Sequence, residues 1–121
     1  VARFGSWEAE WGRAAARLLL NDGAAFDSVI CQNDVLARGC IEELERSGCR
    51  VPQDVAVIGH DNSPDYVSYA HPLLTSIDDN NEMLGRQAAL CLLDAIAGHP
   101  HHGVERVPVK LIQRESTLPL D

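Results

Sequence analysis

The sequence predicts an α/β fold in which βαβ units build a mainly parallel sheet flanked by helices. Three observations carry this. Apolar residues recur at helical spacing in three separate stretches, and short apolar runs lie between them. One of those runs, Val55-Ala56-Val57-Ile58-Gly59, contains no polar residue, which is the pattern of a strand covered on both faces. With 121 residues, 45% of them apolar, the chain has material for one modest core and not for two.

The elements follow in order. Ser6 reads as the N-cap of a helix over 7–22, in which Trp7, Trp11, Ala14, Ala15, Leu18 and Leu19 recur at helical spacing, and Gly23 stops it. Phe26 to Cys31 is a first strand. Asn33-Asp34 opens a second helix with Ala37, Cys40, Ile41 and Leu44 on one face, and Gly48 ends it. Strand 55–59 then completes a βαβ unit with a right-handed crossover. Residues 61–72 turn to Asn, Ser, Pro, Asp and Tyr without periodicity and read as a long surface loop. Thr75-Ser76-Ile77 is a short strand, 82–97 a third helix with Leu84, Ala88, Cys91, Leu92, Ala95 and Ile96 on its apolar side, and 106–113 an alternating strand. The remainder is irregular.

Composition excludes several functions. Ten Lys and Arg against eighteen Asp and Glu leave a net charge of −8, which repels a polyanion, so this segment is not itself a DNA-binding surface. No apolar run reaches the length of a membrane helix, and the first residues lack the pattern of a signal peptide. The chain opens on Val1, as expected of a piece of a longer protein, although a processed start would look the same. Cys31, Cys40, Cys49 and Cys91 form no CxxC pair and no zinc-finger spacing, so reduced cysteines in a cytoplasmic protein are expected, with no metal site and no cofactor. The histidines at 99, 101 and 102 read as a solvated loop without an acidic or thiol partner nearby in sequence.

Chemistry concentrates at two strand ends. In an open parallel sheet, ligands bind beyond the carboxyl ends of the strands. Gln32-Asn33-Asp34 follows the first strand and His60-Asp61-Asn62 the second, so both groups fall on one edge and form a hydrogen-bonding rim suited to hydroxyls or amines rather than phosphate. Asn33 and Asp34 can equally be helix caps, and Asp61 a turn former. Trp7 and Trp11 fit a core, yet Trp7 lies early enough to wall a cleft against a sugar ring. No phosphate loop, HExxH or GxSxG is present, and His60 and Asp61, adjacent at a strand end, are expected to point apart, so no enzyme is predicted and no catalytic residue is named.

These motifs form an ordered series: Asn33-Asp34 after a strand; Gly48 with Val51-Pro52 and Asp54; Val57-Ile58-Gly59-His60-Asp61; Pro72-Leu73-Leu74-Thr75; Leu84-Gly85; and Arg114-Glu115-Ser116-Thr117. Over nearly all its length the chain thus resembles the C-terminal part of the effector-binding domain of LacI/GalR-type bacterial transcription regulators. The resemblance implies a periplasmic-binding-protein-like fold of two α/β subdomains around a cleft, with a helix-turn-helix DNA-binding domain earlier in the complete protein. Asn33 and Asp61 match positions that hydrogen-bond the small-molecule effector, Trp7 an aromatic position that packs on sugars, and Asp79 a polar position beside the cleft. His60 stands where an aromatic residue is common and Asn62 where an acidic one is, and a ligand-binding arginine of the family would lie before Val1. The implied function is effector sensing, with a carbohydrate as ligand, and control of operator DNA binding. The alternative of the same superfamily is a solute-binding protein of a sugar transport system.

The resemblance also implies an internal division. Residues 1–77 belong to the C-terminal subdomain, 78–113 to the crossover and elements of the N-terminal subdomain, and 114–121 to a return segment. A homodimer is expected through helix 34–48 and the segment from Tyr69 to Leu74, because Val35, Leu36, Cys40 and Ile41 cover more of that helix than one core-facing stripe requires. Helix 82–97, separated from its partners, is expected to pack on an unfamiliar surface or to be exchanged with a second copy, unless a longer chain was clipped.

Overall fold

The computed structural model describes residues 3–23 and 25–117, so residues 118–121 of the expected return segment lie outside the described residues. Helix α1 spans Ala9–Asn21. It begins two residues later than the tryptophan spacing suggests, because Glu8 is extended at the N-cap and Ser6 Oγ accepts the Glu8 N–H at 3.4 Å instead of capping the first turn. Trp7 therefore precedes the helix.

Strands β1 (Ser28–Ile30), β2 (Ala56–His60), β3 (Thr75–Asp78) and β4 (Lys110–Ile112) form one sheet in the order β1-β2-β3-β4. The first three run parallel and β4 antiparallel, which is the mainly parallel sheet expected. The last strand is shorter than its alternation suggests, since β3 supplies partners only for Lys110, Leu111 and Ile112 before the chain turns away. Helix α2 (Asp34–Arg46) is the crossover between β1 and β2.

The stretch 61–72 is not all loop. A single helical turn, α3 (Pro64–Val67), opens on a proline and buries Val67. One turn is too short to show periodicity. Arg38 on α2 anchors it: the buried guanidinium donates to the carbonyls of Tyr66, Val67 and Pro72.

Core residues Ala16, Ala37, Cys40, Ile41, Leu44, Val51, Val55, Val57, Val67 and Leu74 lie between α1, α2 and the sheet. Helices α1 and α2 approach backbone to backbone. A Cβ on Gly12 would lie 2.2 Å from the Leu36 carbonyl oxygen, and one on Gly39 would lie 2.0 Å from that of Ala9. Because α1 covers one side of α2 and the sheet another, the wide apolar circumference of α2 is used within the chain. Cys40 and Ile41 are buried there, whereas Val35 and Leu36 are only partly buried within the chain.

The segment from Arg114 to Thr117 is a clasp and not an irregular tail. Ser116 is fully buried, and its hydroxyl accepts from Thr75 N–H at 2.8 Å and donates to the Val57 carbonyl at 2.6 Å, so it ties β2 to β3. Helix α4 (Asn81–Ile96) differs from the rest: none of its residues is buried, and Ile96 is 74% exposed. It packs on no unfamiliar surface within the chain. The histidine loop after it also departs from expectation, because His101 meets Asp94 of α4 and Glu105.

Candidate functional site at the carboxyl edge of the sheet

Parallel pairing of β1, β2 and β3 places their carboxyl ends on one edge, where Asn33, Asp61 and Asp79 emerge. Asn33 is the N-cap of α2, and its Oδ1 accepts the Leu36 N–H at 2.7 Å. The capping alternative thus holds, and what Asn33 can still offer a ligand is its amide Nδ2. Asp34 is interior. It is 1% exposed, accepts from the Ser76 hydroxyl at 2.6 Å and the Ser63 N–H at 2.7 Å, and so ties α2 to β3 and the α3 turn. Burial pushes its carboxyl above the ordinary aspartate range, against the opposing pull of those two hydrogen bonds.

Beyond β2 the backbone takes an uncommon course. Asp61 and Asn62 both have positive φ, 94° and 49°, a region that non-glycine residues seldom enter and that clusters at functional sites. Asp61 N–H donates to the Ile77 carbonyl and Asn62 N–H to the Ser76 hydroxyl, each at 3.0 Å, which holds both residues in place. This turn breaks the alternation of side chains, so His60 and Asp61 do not point apart. His60 Nδ1 lies 3.3 Å from Asp61 Oδ1, and its Nε2 lies 3.3 Å from Asp79 Oδ1. The three residues form one partly exposed cluster in which the imidazole sits between two carboxylates. Each carboxylate carries more acceptor positions than the one that faces His60, so a hydroxyl-bearing ligand finds acceptors here that the protein does not fully use.

A supporting layer lies behind this cluster. Arg114 donates to Asn62 Oδ1 and to the Leu74 carbonyl, each at 2.8 Å, and Asn62 Nδ2 reaches Asp78 Oδ2 at 3.4 Å. Sequence reasoning missed the roles of His60 and Arg114: the first depends on a positive-φ turn, and the second on a contact between residues 52 positions apart. Trp7 stands elsewhere. It is 61% exposed and lines a cavity of about 390 Å³ with Phe4, Trp11, Ile30, Gln32 and Cys40, and neither Asn33, Asp61 nor Asp79 borders that cavity. Cys31 and Cys40 also meet there, and the contact with Cys40, then burial, pushes the Cys31 thiol well above the ordinary range. All four cysteines are free.

A mainly parallel sheet with polar groups gathered at its carboxyl edge is the arrangement in which open α/β domains hold ligands, and the match to known families agrees: the periplasmic binding protein-like domain family matches residues 4–117, and the chain belongs to it. Within that family it groups with the LacI-type regulators. It is 36% identical over 117 residues to the HTH-type transcriptional regulator CelR of Thermobifida fusca, an alignment covering 96% of this chain and 34% of that protein. It is 33% identical over 116 residues to the lactose operon repressor of Escherichia coli K12, covering 96% and 32% of the two chains. Among solved structures, a dimeric lac repressor with an 11-residue C-terminal deletion superposes with a TM-score of 0.86 at 32% identity, covering 97% of this chain and 43% of that one. A complex of CelR with cellobiose superposes with a TM-score of 0.80 at 36% identity, covering 93% and 34%. The chain spans about a third of the length of the curated relatives it matches. These relatives are named as transcription regulators. Among the described residues, no helix is long and apolar enough to cross a membrane.

Proposed function

We propose that this chain is the effector-sensing and dimerisation portion of a bacterial transcription regulator that binds a small carbohydrate and thereby controls operator DNA binding by a helix-turn-helix domain outside this sequence. The observation that carries the reading is the cluster at the sheet edge, where Asp61 and Asp79 present carboxylate acceptors on either side of His60. Asn33 contributes its amide, and Trp7 an exposed ring that can stack on the apolar face of a sugar. A relative solved with cellobiose supports the carbohydrate class, and a relative solved as a dimer supports the homodimer. Regulation of DNA places the protein in the cytoplasm.

The division near residue 78 is part of the same proposal. Its support is the break in packing there: the buried hydrophobic core runs from Ala16 to Leu74, and no residue of α4 beyond it is buried. An N-terminal subdomain would cover α4 and close the cleft.

Calorimetric titration of the whole regulator with cellobiose and a panel of related sugars tests the site. Asp61→Ala is expected to weaken binding of the sugar that binds best by about 1.5–3 kcal/mol, the worth of a hydrogen bond to a charged group. Unchanged affinity would remove Asp61 from the site, and failure of every sugar to bind would remove the carbohydrate class.

A further inference from the structure

Outside the sheet edge, α4 and the loop after it bring together a second group of side chains of mixed ligand chemistry. On α4, Gln87, Cys91 and Asp94 fall at i, i+4 and i+7 and so share one face. Gln87 and Cys91 are the residues of α4 that are partly shielded from solvent, and what lies over them is the loop carrying His101 and Glu105. Cys91 Sγ is 3.8 Å from Glu105 Oε2, and His101 Nδ1 is 3.3 Å from Glu105 Oε1. One donor atom each from Cys91, His101 and Glu105 lies within 4.8 Å of the other two.

We propose that Cys91, His101 and Glu105 form a binding site for a divalent transition-metal ion of the zinc class, which pins the histidine loop to α4. Bonds of about 2.0 Å to nitrogen and oxygen and 2.3 Å to sulfur, set at tetrahedral angles, separate nitrogen from oxygen by roughly 3.3 Å and sulfur from either by roughly 3.5 Å. The nitrogen–oxygen separation, 3.3 Å from His101 Nδ1 to Glu105 Oε1, matches, while Cys91 Sγ stands 3.8 Å from the other carboxylate oxygen, Oε2, and closes on a shared ion with a small side-chain rotation. A thiolate, an imidazole and a carboxylate together are a borderline-soft set, which selects zinc-like ions over magnesium or calcium.

The second observation is the far side of the imidazole. If Nδ1 takes the ion, Nε2 must carry the proton, and it faces Asp94 Oδ2 at 2.7 Å. A carboxylate on the outer nitrogen of a ligating histidine fixes its tautomer and orientation and raises its basicity. Glu105 is oriented in the same way, because Gln87 Nε2 donates to its Oε2 at 2.7 Å. Cys91 binds as the thiolate and releases its proton to solvent. Three protein ligands leave a fourth position for water.

Cobalt is the probe, since a thiolate bound to Co²⁺ gives a near-ultraviolet charge-transfer band. The purified, reduced protein is expected to bind one Co²⁺ per chain with that band, and Zn²⁺ should displace it. Cys91→Ser should abolish the band, and His101→Ala should weaken binding at least tenfold. Asp94→Asn should keep the band while lowering affinity about 10–100-fold, as loss of an outer partner does. His99→Ala and His102→Ala should leave binding unchanged. Absence of the band in the unaltered protein, or its survival in Cys91→Ser, would overturn the proposal. Alkylation of the unaltered protein supplies a check that needs no variant. Saturating Zn²⁺ should protect Cys91 in its peptide mass spectrum, and an unprotected Cys91 would equally overturn the site.

Discussion

Helices α2 and α4 are of similar length and both carry apolar stripes, yet they end in opposite environments. On α2, eight residues are buried, and three of them are the charged Asp34, Arg38 and Glu43. On α4 no residue is buried, although Leu90, Leu92, Leu93 and Ile96 are among its side chains. Burial is thus set by what the chain supplies around a helix and not by the helix's own composition. The charges on α2 are tolerated because each is matched. Asp34 accepts from Ser63 and Ser76, Arg38 donates to three carbonyls, and Glu43 accepts from Arg17 and Arg46. Among the described residues, no buried side-chain nitrogen or oxygen lacks a partner.

The largest expected effect tests this contrast directly. Leu44→Ala, at a fully buried position, should destabilise the chain by about 2–5 kcal/mol in denaturant titration, whereas Leu92→Ala on α4 should stay within about 0.5 kcal/mol. Equal losses would mean that the α4 face is covered after all, by a second copy or by a longer protein.

A smaller effect, with opposite signs, comes from the glycines. Gly39→Ala drives a methyl against the Ala9 carbonyl, a backbone group that cannot rotate away, and should cost about 1–3 kcal/mol as α1 and α2 separate. Gly85→Ala on α4 meets nothing within 4 Å and should stabilise by about 0.5–1 kcal/mol through helix propensity alone. Melting temperatures of the two variants would separate in opposite directions. A loss at Gly85 would again place a neighbour against α4.

What was legible in the sequence follows the same boundary. Periodicity located α2 and α4 to within a few residues, and the unbroken run from Val55 located β2, because these signals arise from the local pattern of side chains. The rim of Asn33 and Asp61 was readable because parallel strands share a carboxyl edge. Contacts between distant residues were not readable. Nothing local in Ser116 announces that it bridges two strands, and nothing in His60 announces that a left-handed Asp61 will turn a carboxylate back onto it. The apolar stripe of α2 teaches a related lesson. An apolar stripe on α2 says that something covers it, and only the fold shows that α1 does.

The smallest effect separates Glu43 from Asp34, two carboxylates buried on the same helix with opposite titration. Hydrogen bonds from Arg17 and Arg46 hold Glu43 down, from an ordinary value of 4.5 to about 2, whereas desolvation holds Asp34 above its ordinary value. A depressed carboxylate adds stability that is complete above its unfolded value and is lost as the pH falls through its folded value. Glu43 should therefore make the chain melt at lower temperature as the pH is taken from 4.5 towards 2. Asp34 acts the other way: the folded state keeps its proton longer than the unfolded state does, so acidification favours folding at that group. Asp54, held to about 2 by Arg50, adds to the acid loss and is the control. Glu43→Gln should flatten the fall of melting temperature with acid, Asp34→Asn should steepen it, and Asp54→Asn should flatten it without involving α2. Parallel profiles for Glu43→Gln and Asp34→Asn would show that the two sites share one environment, and the distinction between a paired and a merely buried carboxylate on α2 would fall.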